Sequence, residues 1–325
     1  MKPLIFCGED GTHFVTSSLT EAAVTFLFRF AGGKLPPPEE LDFYVAELTE
    51  THEPGCHWST YTYRWHDKRF LDHSLYEVCD VFETVELWFD PAPNDQLQLI
   101  WLLDQLASHQ EVVAKLKLRI VDFDLLMKEP EALAKMKVAV RDVAKKELET
   151  ASMAWQAYRS ATPQACFDLL SRDLSALPLL RPALLDLLEE LPSAITGLGA
   201  TEMRLLELIA NGYSRTRPLF ERHRGLYQRR VFNSSEVESL LEGLAHGPQP
   251  AVAGLDDEIR TLSREDFRGR DPAYLRSRLW LTEFGKAVLA HKADFSQHNP
   301  IDRWWGGTHL TNDNLWRWNP ALIAP

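Results

Sequence analysis

Neither Gly-x-Gly-x-x-Gly nor a phosphate-loop lysine motif occurs anywhere in the chain, so a nucleotide held by its phosphates in such a loop is not expected. Paired cysteines are missing too. Cys7, Cys56, Cys79 and Cys166 are scattered with no Cys-x-x-Cys, which argues for free, mostly buried thiols rather than disulfides. The longest apolar runs, such as Ala22 to Phe28, fall far short of a membrane span. The opening Met-Lys-Pro-Leu-Ile-Phe lacks the apolar length and cleavage site of a secretory signal, and the expectation is a cytoplasmic protein without a membrane partner. Gly-x-Ser-x-Gly and His-Glu-x-x-His are also absent, so no familiar nucleophile or zinc-hydrolase motif is available.

What is present is ordinary globular material, 45% hydrophobic and 25% charged over 325 residues, enough for two domains with cores of their own. Charge is unevenly distributed. Residues 1–199 carry a net −13 and residues 200–325 a net +1, which points to two parts with different tasks. An acidic first part is a poor surface for nucleic acid, because it repels the phosphate backbone.

The chain is organised around Val85 to Leu103. Val-Glu-Leu-Trp-Phe is an apolar β-type run, Asp90-Pro91-Ala92-Pro93-Asn94 a double-proline turn, and Leu97, Ile100, Trp101 and Leu103 restart with helical spacing. Upstream, Pro3 to Cys7 reads as a strand ending at Gly8-Glu9-Asp10-Gly11. Ser18 and Glu21 have capping-box spacing before an apolar Ala22 to Phe30, read as a helix. With Leu116 to Val121 as a further strand, residues 1–125 form an acidic α/β domain on a small, parallel, doubly wound sheet. From Glu131 to Tyr158 apolar residues recur at spacings of three and four, so residues 126–160 are expected to be one long connecting helix. Residues 161–325 then form a mainly helical domain with a docked tail.

Trp88-Phe89 followed by an acidic loop and Asp95-Gln96-Leu97-Gln98-Leu99 resembles the hallmark of a bacterial family known as a domain of unknown function. Trp155-x-x-Tyr158, Leu177-Pro178-Leu179-Leu180, Leu188 to Ser193, Ile301 to Leu310 and Trp316-Arg317-Trp318 continue the resemblance. It spans about residues 80–125 and 150–318 and implies an architecture but no activity. The proline-rich loop at 90–94 departs from it.

Ligands in open parallel sheets bind beyond the carboxyl ends of the strands. That rule selects Gly8, Glu9, Asp10, Asp90, Asn94, Asp95 and Gln96 as candidate ligand-binding residues. Among them Asp10, Asp90 and Asp95 are the candidate acid–base or cation-holding carboxylates. The competing reading makes Asn94 and Asp95 helix caps and Gln96 and Gln98 ties for the loop. Cys56-His57, with His52, His66 and His73 nearby, lacks the short paired spacings of a zinc site, so no metal and no cofactor are expected. Trp58, Tyr61, Tyr63 and Trp65 read as rings packed under a long loop.

In the C-terminal half, helices are expected at Thr201 to Asn211, Arg217 to Tyr227 and Glu236 to Leu244, the last with Ser235 and Glu238 as its capping box. Ser277 to Leu281 reads as a strand leading into Leu281-Thr282-Glu283-Phe284-Gly285 with Leu289 beyond it. This resembles the end of the wing in winged-helix domains, where the threonine caps a helix and the glycine lets it pack closely. Arg215, Arg217, Arg222, Arg224, Arg229 and Arg230 form a basic cluster opposed only by Glu221 within residues 212–231. It suits a protein partner or an intramolecular interface with the acidic domain, or phosphates. Glu236, Glu238 and Glu242 on the following helix repel DNA, which places the interface reading ahead of DNA binding. The whole therefore reads as a non-enzymatic ligand-sensing or regulatory protein. The alternatives are an enzyme with an acidic site on the sheet, and a DNA-binding transcription regulator.

Overall fold

Leu4, Ile5, Phe6 and Cys7 are each fully withdrawn from solvent, and all five residues of Val85–Phe89 are buried, the pattern of parallel strands covered on both faces. The computed structural model describes residues 2–9, 11, 19–20, 22–63, 70–125, 128–226, 230–255 and 277–325. Two compact units emerge, residues 1–184 and 185–325.

In the first unit the strands are β1 (Leu4–Cys7), β2 (Ala22–Thr25), β3 (Thr62–Tyr63), β4 (Val85–Phe89), β5 (Leu116–Ile120) and β6 (Val140–Asp142). They form one sheet in the order β3-β2-β1-β4-β5-β6. The middle four run parallel, Leu4 pairing with both Ala22 and Val85, and the two edge strands are antiparallel. The helices are α1 (Pro38–Val45), α2 (Leu75–Val81), α3 (Pro93–Leu106), α4 (Gln110–Val113), α5 (Pro130–Leu133), α6 (Lys145–Tyr158), α7 (Gln164–Leu169) and α8 (Leu180–Glu189), whose second half belongs to the next unit. Sheet alternation sends Ile5, Cys7 and Trp88 into one core layer with Val121, Leu125 and Leu133. On the other side Phe6 meets Phe26 edge-on at 5.6 Å, and Phe26 meets Trp101 of α3 at 5.5 Å. α3 also packs along α6.

Two expected helices take other forms. Ala22 to Phe30 begins as β2, because a short run buried on both faces shows no helical period to distinguish it from a strand. The expected capping residues Ser18 and Glu21 lie outside the described residues. The long connecting helix is instead α5, the edge strand β6 and α6. Val140, Arg141 and Asp142 pair antiparallel with Arg119, Leu118 and Lys117 and are all exposed, so this stretch is completed by the edge of the sheet rather than by a helical turn. Glu147, the residue that interrupts the helical seam, accepts the Ala144 N–H at 3.0 Å and marks where α6 starts.

The second unit holds α9 (Ala200–Ala210), α10 (Thr216–Leu226), α11 (Ser234–His246), β7 (Val252–Ala253), β8 (Trp280–Leu281) and α12 (Glu283–Leu289) around one core of Leu205, Leu206, Leu219, Leu241, Leu244, Val252 and Val288. β7 and β8 pair antiparallel, and Arg215 forms a further antiparallel bridge with Arg278. The α11 capping box is formed by Asn233 and Glu236, not by Ser235 and Glu238: Glu236 N–H donates to Asn233 Oδ1 at 3.1 Å and Asn233 N–H to Glu236 Oε2 at 2.8 Å. Both pairs have the required spacing, and the one set two residues earlier is used. The tail forms hairpins β9 (Asp302–Trp305) with β10 (Thr308–Thr311) and β11 (Arg317–Trp318) with β12 (Leu322–Ile323). Trp305 Nε1–H donates to the Leu187 carbonyl at 2.7 Å, and Arg317 donates to the Ser193 carbonyl at 2.9 Å.

Candidate functional site

β1 and β4 are parallel neighbours whose chains continue to opposite sides of the sheet. The crevice beyond Cys7 and Phe89 is therefore the topological switch point where α/β sheets bind ligands. Its floor is built by the turn after β4. Asp90 Oδ1 accepts the Ala92 N–H at 2.8 Å and Oδ2 the Leu125 N–H at 3.2 Å. Gln96 Nε2–H donates to the Asp90 carbonyl at 2.6 Å. Asp95 Oδ2 lies 3.4 Å from the Asp90 nitrogen. A Cβ placed on Gly8 would overlap the Asp95 carboxyl group, so the carboxyl occupies the space beside the β1 turn.

Asn94 faces elsewhere. Its Oδ1 accepts the N–H groups of Phe30 and Ala31 at 2.8 and 3.2 Å, and its Nδ2–H donates to the Phe28 carbonyl at 2.9 Å. Gln98, one turn on, donates to the carbonyls of Phe26 and Phe28. These two amides thus satisfy the extended chain that follows β2, while the α3 N-cap, Ala92, offers no side chain. Asp90, Asn94, Asp95 and Gln96 are all buried, between 1% and 3% exposed. Glu9 lies 3.6 Å from Arg29 as a half-exposed ion pair. Asp10 lies outside the described residues. Beside the crevice, burial above all and the nearby Asp95 charge push the Cys7 thiol up to about 12, against a hydrogen bond from Thr25, which keeps it an inert thiol.

The histidine-rich segment resolves into local pairings. His57 Nε2 is 2.9 Å from the Ala46 carbonyl and Nδ1 2.7 Å from Ser59 Oγ; burial holds its pKa below the usual imidazole range. His52 stacks on Phe43 at 3.6 Å. Among the described residues no group of three or more His, Cys, Asp or Glu side chains is disposed to hold a metal ion. Trp58 is fully buried with its Nε1–H on the His73 carbonyl; the side chains of Tyr61, Tyr63 and Trp65, and His66, lie outside the described residues.

In the second unit Arg215, Arg217, Arg222 and Arg224 are exposed. Arg217 pairs with Glu221 at 2.9 Å, and the Arg222 guanidinium lies 5.8 Å from the Tyr213 ring centre. Arg230 is partly exposed; Arg229 lies outside the described residues. Glu190 is a buried carboxylate the sequence did not single out. It accepts Thr201 Oγ1–H at 2.6 Å and Thr201 N–H at 3.0 Å, with Arg204 at 3.9 Å. Burial raises its pKa to about 7 despite these partners, and Glu202 adds to the rise. Glu202 in turn pairs with Arg303 of β9 at 3.0 Å. Arg278 and Trp280 were also missed, although Ser277-Arg278-Leu279-Trp280-Leu281 alternates polar and large outward residues with inward ones. No protein-family model matches the chain, and no curated protein matches it.

Proposed function

We propose that the chain is a non-enzymatic cytoplasmic regulatory protein that engages an anionic partner through a winged-helix-like second unit. The observation that carries this reading is the set of exposed arginines, Arg215 just before α10 and Arg217, Arg222 and Arg224 on it, within a unit whose described elements from α9 to α12 run helix, helix, helix, strand, strand, helix. Thr282 accepting the Gly285 N–H at 3.0 Å, and the lack of room for a Cβ on Gly285 beside the Ala251 carbonyl, support the winged-helix comparison. The non-catalytic part of the reading is supported by the switch-point side chains, whose hydrogen bonds go to the chain's own backbone. A ligand-sensing role for that crevice, or an enzyme using Asp10, Asp90 and Asp95, would need Asp90 and Asp95 turned toward a solute.

The test is a fluorescence-anisotropy titration of labelled polyglutamate and random duplex DNA at about 50 and about 200 mM salt. A polyanion should bind at the lower salt, weaken steeply at the higher, and be lost in the combined variant Arg217→Glu, Arg222→Glu, Arg224→Glu. Absence of binding to either probe at low salt, or binding untouched by the triple reversal, would overturn the proposal. Preferential, sequence-dependent duplex binding would instead favour the DNA-binding regulator.

A further inference from the structure

Arg215 and Arg278 stand directly opposite each other across an antiparallel bridge, and directly opposite residues project to the same face. Like charges in that position repel. Both side chains are exposed, and neither forms an ion pair among the described residues. Two residues along the same strand, and so on the same face, Trp280 is 56% exposed. Ser277, Leu279 and Leu281 alternate with them and are buried, so the strand keeps one apolar face inward and offers Arg–x–Trp outward. Leu279 N–H donates to the Ser214 carbonyl at 2.6 Å, fixing the Arg215 segment beside it.

The indole has a rigid backing. Gly254 has φ +89°, and a Cβ built there would overlap both the Arg278 carbonyl and the six-membered ring of Trp280. The ring therefore rests against backbone while more than half of the residue remains in water. A fixed, exposed indole is costly to leave uncovered, and two guanidinium groups facing each other without an ion-pair partner among the described residues favour an anion between them. One ligand class answers both: planar apolar rings carried on a chain of phosphates.

We propose that this face, Arg215, Arg278 and Trp280, docks an unpaired nucleic-acid strand, a base stacking on Trp280 and phosphates meeting the guanidinium pair. The inference deepens the anionic-partner reading and rests on it. A single strand also escapes the objection to duplex DNA. It does not require α11, with Glu236, Glu238 and Glu242, to enter a groove lined by phosphates. An acidic peptide would satisfy the arginines but has no ring system for the indole.

The experiment compares labelled oligothymidylate, random duplex DNA and polyglutamate on the full chain and on Trp280→Ala, Trp280→Phe and Arg215→Ala/Arg278→Ala. Oligothymidylate should bind most tightly. Trp280→Ala should weaken it about tenfold or more while leaving polyglutamate unchanged, and Trp280→Phe should retain most of the affinity. The double arginine variant should reduce the slope of log K against log salt by about 1.4, two single-strand phosphate contacts. If polyglutamate or duplex binds as well as oligothymidylate, or if Trp280→Ala leaves the oligonucleotide affinity unchanged, the single-strand assignment falls while the anionic-partner reading stands. If none of the three probes binds at low salt, both fall together.

Discussion

Glu190 is a buried carboxylate whose environment works in two directions. Thr201 N–H and Oγ1–H and the Arg204 guanidinium favour the charged form, burial and Glu202 oppose it, and the balance lies toward protonation with a pKa of about 7 against an ordinary 4.5. Below 4.5 the folded and unfolded chains both hold the proton and nothing is lost. Between 4.5 and 7 the unfolded chain releases it while the folded one keeps it, so stability falls with rising pH, by on the order of 3 kcal/mol once above 7. Glu190→Gln, which retains an acceptor for Thr201 N–H and removes the charge, should therefore change stability little at pH 4.5 and stabilise by about that amount at pH 8. Urea unfolding at the two pH values checks this; an equal effect at both would contradict it. No sequence signal separates Glu190 from Glu189. Their difference is made by Gly199, whose bare Cα lets α9 start against the Glu190 backbone and carboxyl.

Elements were legible where the chain punctuates itself. β4, the proline turn and α3 read directly from Val85 to Leu103, because two prolines mark the joint between an apolar run and the helical spacing of Leu97, Ile100, Trp101 and Leu103. β2 and β6 did not read, since one is an apolar run without alternation and the other an edge strand of three exposed residues. The candidate site was half legible for a related reason. Strand ends located Gly8, Asp90 and Asp95, but only side-chain direction reveals that Asn94 binds the chain at residues 28–31 rather than capping its own helix. At the end of the second unit the spacing of Thr282 and Gly285 was informative, because both requirements are local: a hydroxyl at the N-cap and no Cβ three residues later. Gly285→Ala would push a methyl group into the Ala251 carbonyl, a backbone atom that yields only by moving β7. It should destabilise by about 2–3 kcal/mol. Denaturant unfolding measures the loss, and a change below about 0.5 kcal/mol would show that α12 does not depend on this approach.

At the scale of the whole molecule, two units with separate cores should unfold as two cooperative blocks. Calorimetry is expected to resolve two transitions, or one with a calorimetric enthalpy well above its van't Hoff value. Gly285→Ala should lower one transition by several degrees and leave the other in place; a single two-state transition shifted as a whole would refute the separation. The contrast between the units is also one of surface. The first turns its polar side chains inward at the end of its sheet, and the second presents exposed arginines and an exposed indole. In the first unit the space beside Gly8 at the end of β1, where parallel sheets commonly cradle a ligand's phosphate, is taken by the Asp95 carboxyl group. The chain has installed a tethered anion of its own at that position. An incoming phosphate would have to displace a carboxyl group covalently fixed to α3, which the tether keeps at a high effective concentration beside Gly8.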